Sequence, residues 1–501
     1  MTVGLTELKQ RVAELANLGG ALDLLHWDLE TFMPKGGVED RASQVALLGR
    51  IAHEWFVADE VGAWLVAAET EVRGLDPTSD DVRAVQVLRR DFDRERKVPT
   101  AWVAEFARTT SLAQHAWRDA RAGAGFAHFR PHLERVLDAR REYAGFFTPW
   151  KSVYDPLLDD FEPGTTTADV ERVFAELRPP LVALVEAIRT RGRAVDAGFL
   201  DGDFDEVQQT EFGMDVLRRM GFDFDRGRQD RSAHPFTTAF SRNDVRITTR
   251  FDRACLSPAL FGSMHEGGHA LYEQGIAAEY ARTALGRYAS LGIHESQSRL
   301  WENVVGRSRQ FWKRFYPELQ RRFPTLASVP IDSFYRAINR VAPSLIRVEA
   351  DEVTYNLHIM MRFDLELALL RGDLAVADLP TAWREASRAA LGIAPPDDAN
   401  GALQDIHWSG GAFAYFPTYT IGNLAAVQLF DAAAAAVPGI PADIERGEFG
   451  ALLGWLRENV HRHGRKYEPG ELLRRATGRP LEAAPYLRYL HTKYADVYGL
   501  G

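Results

Sequence analysis

Cysteine is nearly absent. Cys255 is the sole one in 501 residues, so no internal disulfide can form, which suits a reducing compartment. The apolar flanks of Cys255 in "RACLSPALF" read as a packed thiol rather than a nucleophile. No run of 18 apolar residues occurs, which argues against a membrane-spanning helix. The opening stretch, "MTVGLTELKQRVAEL", is charged and amphipathic and lacks the apolar centre of a secretory signal. Positive charge is not in excess either. The formal net charge is −10, which argues against nucleic acid or anionic membrane as a main partner. Fixed-period repeats and Gly/Ser-rich linkers are also missing. The expected setting is the cytoplasm, and the expected organisation is a single large unit over residues 1–501.

What is present is mostly helical periodicity. Leu5, Leu8, Val12, Leu15, Leu18 and Leu22 recur at three- and four-residue spacings, as an amphipathic helix requires. Similar patterns fill "VEDRASQVALLGRIAHEWF", "SDDVRAVQVLRRDFDRERKV" and "TTADVERVFAELRPPLVALVEAIRTRG". Ser79 and Thr167 precede acidic first turns and read as N-caps. One stretch departs from this pattern. "HPFTTAFSRNDVRITTRF", residues 234–251, holds two short Thr/Val/Ile/Phe runs around "SRND" and reads as a β-hairpin. A sheet edge there would offer an extended peptide a strand to pair with.

Directly downstream lies "HEGGH", from His265 to His269. On a helix, positions i and i+4 share a face, so both imidazoles reach one metal ion. Glu266, about 100° around from His265, would flank the ion's open position as a general base. An open catalytic site needs a third protein ligand. Glu295 in "GIHESQSRLWEN" follows His269 by 26 positions, room for a turn and a return helix. His294 competes with it, because neighbours on a helix point apart. Glu302, seven residues further, would support the ligands from behind. Gly267 and Gly268 sit where glycine costs about 1 kcal/mol each. They are expected to admit a helix or sheet close to the backbone.

Two further clusters are polar within apolar surroundings. "APSLIRVEADEVTYNLHIMM" places Arg347 and Asp351 four apart, on one helical face if the segment is a helix, where an intrahelical ion pair is the plain structural reading. "GALQDIHWSGGAFAYFPTYTIGNLAA" gathers Gln404, Asp405, His407, Trp408, Tyr415 and Tyr419 among glycines, either as an active-site wall or as a structural loop.

Five stretches, "DVRIT", "HEGGH", "HESQ", "IRVEAD" and "GALQDIHW", occur in this order. Together they resemble the carboxypeptidase Taq family of HExxH metallocarboxypeptidases. "HWDLETFMPKGGVEDRASQ" and "YFPTYTIGN" extend the resemblance over nearly the whole chain. It implies a mainly α, zincin-like fold with a deep substrate groove and a very small β-sheet beside the metal helix. It also implies a homodimer, one zinc that cobalt can replace, and stepwise release of C-terminal residues from peptides with broad specificity. Carried over, His265, His269 and Glu295 are the metal ligands and Glu266 the general base.

Within that reading Tyr419, opening an apolar helix, is the first choice of oxyanion donor. Tyr415 is the reserve and His407 a second donor. A free C-terminal carboxylate is best met by an arginine fork, and Arg347 and Arg246 are the two candidates. Gln404, Asp405, Tyr415 and His234 complete the expected substrate-binding set. The alternatives are a zinc oligopeptidase or dipeptidyl carboxypeptidase sharing the same chemistry, or an inactive helical peptide-binding protein.

Overall fold

Threonine, valine, isoleucine and phenylalanine crowd residues 236–249. The computed structural model, which describes residues 4–500, folds them as the expected hairpin. Residues 1–3, at the head of the stretch read as lacking a signal, and residue 501 lie outside the described residues. The strands are β1 (Gly227–Arg231), β2 (Thr237–Ser241) and β3 (Asp244–Thr249). β2 pairs antiparallel with β3, Thr237 opposite Ile247 and Ala239 opposite Val245, with a bulge before Ser241. β1 joins the other side of β3 in parallel, giving the order β1-β3-β2. β1 went unrecognised in the sequence because "GRQDR" has no β-branched or aromatic residue. Its Gly227 is required: a Cβ there would lie 2.2 Å from the carbonyl oxygen of Val245. Val245 and Ile247 of the central strand are fully buried.

As a whole the structure is 69% helix, and among the described residues no single helix is long and apolar enough to cross a membrane. Contacts divide it into two compact units. One takes residues up to Arg96, Asp196–Ile338 and Ala425–Pro480. The other takes Lys97–Val195, Asn339–Leu424 and the chain from Leu481 onward.

In the first unit the helix Gly4–Glu30 sends Leu8 into a core with Val61, Leu65, Val85 and Phe92. The helix Glu206–Met220 begins at Asp205, whose carboxylate accepts from the backbone N–H of Val207 and Gln208. It stops at Gly221 with φ 100°, a left-handed C-terminal residue that glycine adopts without strain. The next helix, Ser257–Gly275, carries Pro258 in its first turn and is buried on most of its surface. The helix Leu291–Arg299 is capped by Ser290, whose hydroxyl accepts from the N–H of Ile293, and continues into a π-helical turn, Leu300–Val305.

In the second unit the cap of the helix Thr167–Arg191 is Thr166, one residue before the expected Thr167. Thr166 and Asp169 form a reciprocal capping box, while the Thr167 hydroxyl turns to Asp155. Ser79 of the first unit precedes its helix, Asp80–Lys97, but its buried hydroxyl has no hydrogen-bond partner, so the expected side-chain cap does not form. Another correction concerns Arg347 and Asp351, which do not share a helix. Arg347 lies in a 3-10 turn, Arg347–Glu349, and the helix proper is Thr354–Arg371. Asp351 stands ahead of that helix. It accepts from the N–H of Val353 and Thr354, the Thr354 hydroxyl and the N–H of Ala342, at 2.7–3.1 Å.

Asp351→Ala strands the donors of the buried Val353 and Thr354. It should lower unfolding free energy by about 2–3 kcal/mol, read as a shift of the urea midpoint.

Candidate active site

His265 and His269 share a face of the helix Ser257–Gly275, and Glu295 sits in the middle of the helix Leu291–Arg299. These three offer ligand atoms that all lie within 4.8 Å of one another. The Oε2 of Glu295 stands 3.6 Å from His265 Nε2 and 3.5 Å from His269 Nε2. Two ligand atoms bound tetrahedrally to one zinc, at roughly 2.0–2.1 Å each, lie about 3.4 Å apart. The spacing therefore fits a shared ion and is too long for good hydrogen bonds. His294, the competing ligand, points elsewhere. Its Nε2 meets Glu273 at 3.0 Å, and its ring stacks on that of His269 at 4.3 Å.

The two glycines explain how the helices approach. A Cβ on Gly268 would lie 2.6 Å from both the carbonyl oxygen of Gln297 and the Cα of Ser298. The helix bearing both histidines thus rests directly on the backbone of the helix bearing Glu295. At Gly267 a Cβ would meet the end of the Leu217 side chain, at 2.4 Å. The sequence suggested packing at both positions; the structure shows that only one contact is with backbone.

Around the ligands the charges are matched in detail. His265 Nδ1 lies 2.9 Å from Glu302 Oε2, the carboxylate-behind-histidine arrangement that fixes a ligand's tautomer. Arg299 Nε donates to Glu295 Oε1 at 2.6 Å, and its Nη1 to Glu302 Oε2 at 3.3 Å. Arg307 lies 3.6 Å from the other oxygen of Glu302. Burial by itself would raise both carboxyls. Arg299 and the histidines overcome it, holding Glu295 well below the usual carboxylate range and Glu302 at about 2. Burial, with His294 beside it, lowers His269 to about 3. It is therefore a neutral imidazole at pH 7, the form that binds metal.

Glu266 differs from its neighbours. Its Oε2 accepts from the Thr237 hydroxyl of β2 at 2.7 Å, and the Glu266 carbonyl oxygen lies 3.0 Å from the same hydroxyl. Burial raises its pKa, and His265 and Thr237 only partly offset this. A carboxylate with raised proton affinity, set among carboxylates of lowered affinity, is suited to take and return a proton. Thr237 was not singled out in the sequence; it read only as a strand residue.

The sequence profile of the carboxypeptidase Taq (M32) metallopeptidases matches residues 7–494. The chain belongs to this family. It is 43% identical to thermostable carboxypeptidase 1 of Thermus thermophilus over 99% of this chain and 98% of that one. It is 38% identical to carboxypeptidase 1 of Bacillus subtilis over 97% and 96% of the two chains. The crystal structure of the M32 carboxypeptidase from Deinococcus radiodurans superposes with a TM-score of 0.96 at 45% identity, covering 99% of this chain and all of that one. This M32 chain is thus a metallocarboxypeptidase, a peptide hydrolase, with a His-His-Glu group able to hold its metal.

Of the other expected residues, Arg246 lies on β3 of the first unit. Asp244 grips its guanidinium in a two-point ion pair at 2.9 Å, and the rings of Trp27 and Phe240 lie 4.5 and 4.8 Å from it. His234 is exposed between β1 and β2. The rest belong to the second unit. There Arg347 donates to Asp405 through Nε and Nη2 and to the Tyr355 hydroxyl through Nη1. Arg362 binds the other oxygen of Asp405, and Gln404 accepts from both Arg362 and the Arg347 backbone. Asp405 and Gln404 are thus engaged in holding two arginines. Tyr419 lies under the Arg347 guanidinium, its ring centre 5.0 Å away, with Tyr415 beside it at 5.4 Å. His407 is tilted against Tyr415 and Phe416.

Gly268→Ala should destabilise the fold by about 2 kcal/mol and weaken metal binding by roughly tenfold or more. Gly267→Ala should stay within about 1 kcal/mol, because the Leu217 side chain can turn aside. Thermal unfolding and metal titration of the two variants check the contrast.

Proposed function

We propose that the enzyme is zinc-dependent and removes single residues from peptide C-termini with broad side-chain tolerance. The observation that carries this reading is the convergence of His265, His269 and Glu295 beside Glu266, where burial outweighs the partners and raises the proton affinity, unlike at Glu295 and Glu302. Zinc, when bound, supplies a Lewis acid that activates water near neutral pH and polarises the scissile carbonyl; cobalt can replace it. Glu266 takes the proton of the attacking water and passes it to the leaving amine, with the Thr237 hydroxyl keeping the carboxylate in place. Tyr419 donates to the oxyanion, with Tyr415 in reserve and His407 as a second donor. His407 does so as a neutral ring, since burial holds its pKa at about 4.

Arg347 is proposed as the receptor for the substrate's free carboxylate, with Gln404 and Asp405 holding it in position. Arg246 is the second candidate, its fork held by Asp244 as that of Arg347 is held by Asp405. His234 is proposed to contact the peptide near the strand edge. The family match runs through both compact units, which supports one catalytic domain over residues 1–501. A homodimer is proposed because the helix Val38–Phe56 buries no residue and leaves Val38, Leu47 and Trp55 exposed. A cytoplasmic setting accords with the lone thiol, Cys255.

Timed mass spectrometry of mixed-sequence peptides should show a ladder of one-residue C-terminal losses that a chelator stops. Internal cuts or two-residue steps would instead favour an oligopeptidase or dipeptidyl carboxypeptidase. Glu266→Gln should keep its metal yet lose at least about 10²-fold in kcat, and Tyr419→Phe roughly 10²-fold. Arg347→Lys should erase the preference for a free C-terminus over an amide. Light scattering should return twice the chain mass; a monomer at micromolar concentration would remove the dimer from this reading.

A further inference from the structure

A carboxylate can give a metal one oxygen or two, and the choice sets how many positions remain open. The two oxygens of Glu295 are not equivalent here. Oε2 faces both histidines, at 3.5 and 3.6 Å, and also accepts from the Ser298 hydroxyl at 3.2 Å. Oε1 is turned to the Nε of Arg299 at 2.6 Å, a short charge-assisted bond. Arg299 stands one helical turn after Glu295, so the helix itself sets this geometry. Its other arm reaches Glu302 Oε2 at 3.3 Å, the same oxygen that lies 2.9 Å from His265 Nδ1. One guanidinium therefore spans a ligand and the group that orients another ligand. It is largely buried, its side chain 14% exposed, so water competes weakly for the bond.

We propose that Arg299 is a positioning residue that makes Glu295 a one-oxygen ligand. By engaging Oε1 it limits the chain's donor set to two imidazole nitrogens and one carboxylate oxygen. That is three protein ligands, the number found in catalytic zinc sites that keep a position open. Released from Arg299, the carboxylate is free to turn both oxygens to the ion and fill the coordination shell. Coulomb repulsion between guanidinium and metal is the cost of this arrangement, and Glu295 and Glu302 offset it. The inference rests on the metallopeptidase reading above and adds a cause for the site's openness.

Cobalt(II) reports the outcome directly, since its visible absorption weakens as coordination rises from four to five. The cobalt-loaded Arg299→Met enzyme should lose roughly half or more of that absorption, the geometry being diagnostic of ligand number. It should also bind zinc no more weakly than the parent, with kcat reduced and KM little changed. A merely structural arginine would instead leave the absorption unchanged, or loosen the metal by roughly 10–100-fold, as lost ligand supports usually do. Either result overturns the proposal.

Should Arg299→Met not fold, X-ray absorption of the zinc-loaded parent decides. Four nitrogen or oxygen neighbours at about 2.0 Å are expected, and five or more overturn the inference. A parent that takes up no metal at all would instead overturn the zinc reading, so the two failures are distinguishable.

Discussion

The separation of two helices at Gly268 is the constraint on which the site depends. Both histidines come from Ser257–Gly275 and the glutamate from Leu291–Arg299, so the ligands converge only if the helices lie at one distance. The missing Cβ would have met main-chain atoms of Gln297 and Ser298. Main chain inside a helix cannot rotate aside as a leucine methyl can, so the contact works as a fixed stop. The helix propensity lost at the two glycines, roughly 2 kcal/mol, is offset by this packing and, when metal binds, by coupling of binding to folding. The sheet supports the same element: Thr249 of β3 donates to the carbonyl of Ala259, and Gln229 of β1 to the hydroxyl of Ser263.

Charge then divides labour among three glutamates carried within 37 residues. Glu295 and Glu302 are paired with Arg299, Arg307 and the histidines and stay ionised. Glu266 accepts from the Thr237 hydroxyl, and burial outweighs that bond and the nearby His265, raising its proton affinity. Ligands need the first condition and a proton acceptor the second. The same two short segments of helix supply both because their neighbours differ, not their side-chain chemistry. A hydroxyl suits the base in another way. It donates to the carboxylate and can accept from the carboxylic acid, so Thr237 can remain bonded to Glu266 in either state.

Much of this was legible in the sequence because it follows helical spacing. His265 and His269 are four apart, and Glu302 stands seven after Glu295; the hairpin was visible because its strands are rich in threonine and β-branched residues. What escaped depends on contacts distant in sequence or on where an element ends. β1 is a strand because β3 pairs with it, not by its own composition. Arg347 and Asp351 looked like a helical pair, but their helix starts only at Thr354, and Asp405, far along the chain, takes the arginine instead. Glu366 was invisible inside the apolar run "FDLELALL", yet it accepts from Tyr154, Trp408 and the N–H of Ala414.

Glu366 shows how the second unit keeps its polar loop in one shape. Three donors converge on this buried carboxylate, two of them from residues 408 and 414 on either side of the glycine pair Gly410 and Gly411. Ala414 holds φ 66°, and Gly411 75°, backbone states that cost energy for alanine but not for glycine. The bond from the Ala414 N–H to Glu366 compensates that strain. Burial raises the Glu366 pKa to about 7, so protonation near neutrality would remove an acceptor the loop requires. Trp408 and Ala414 are therefore tied to a carboxyl group that lies outside the expected substrate contacts. The shape of that loop thus rests on its own Gly411 and on two bonds to the helix Thr354–Arg371, a partner that the loop's sequence does not reveal.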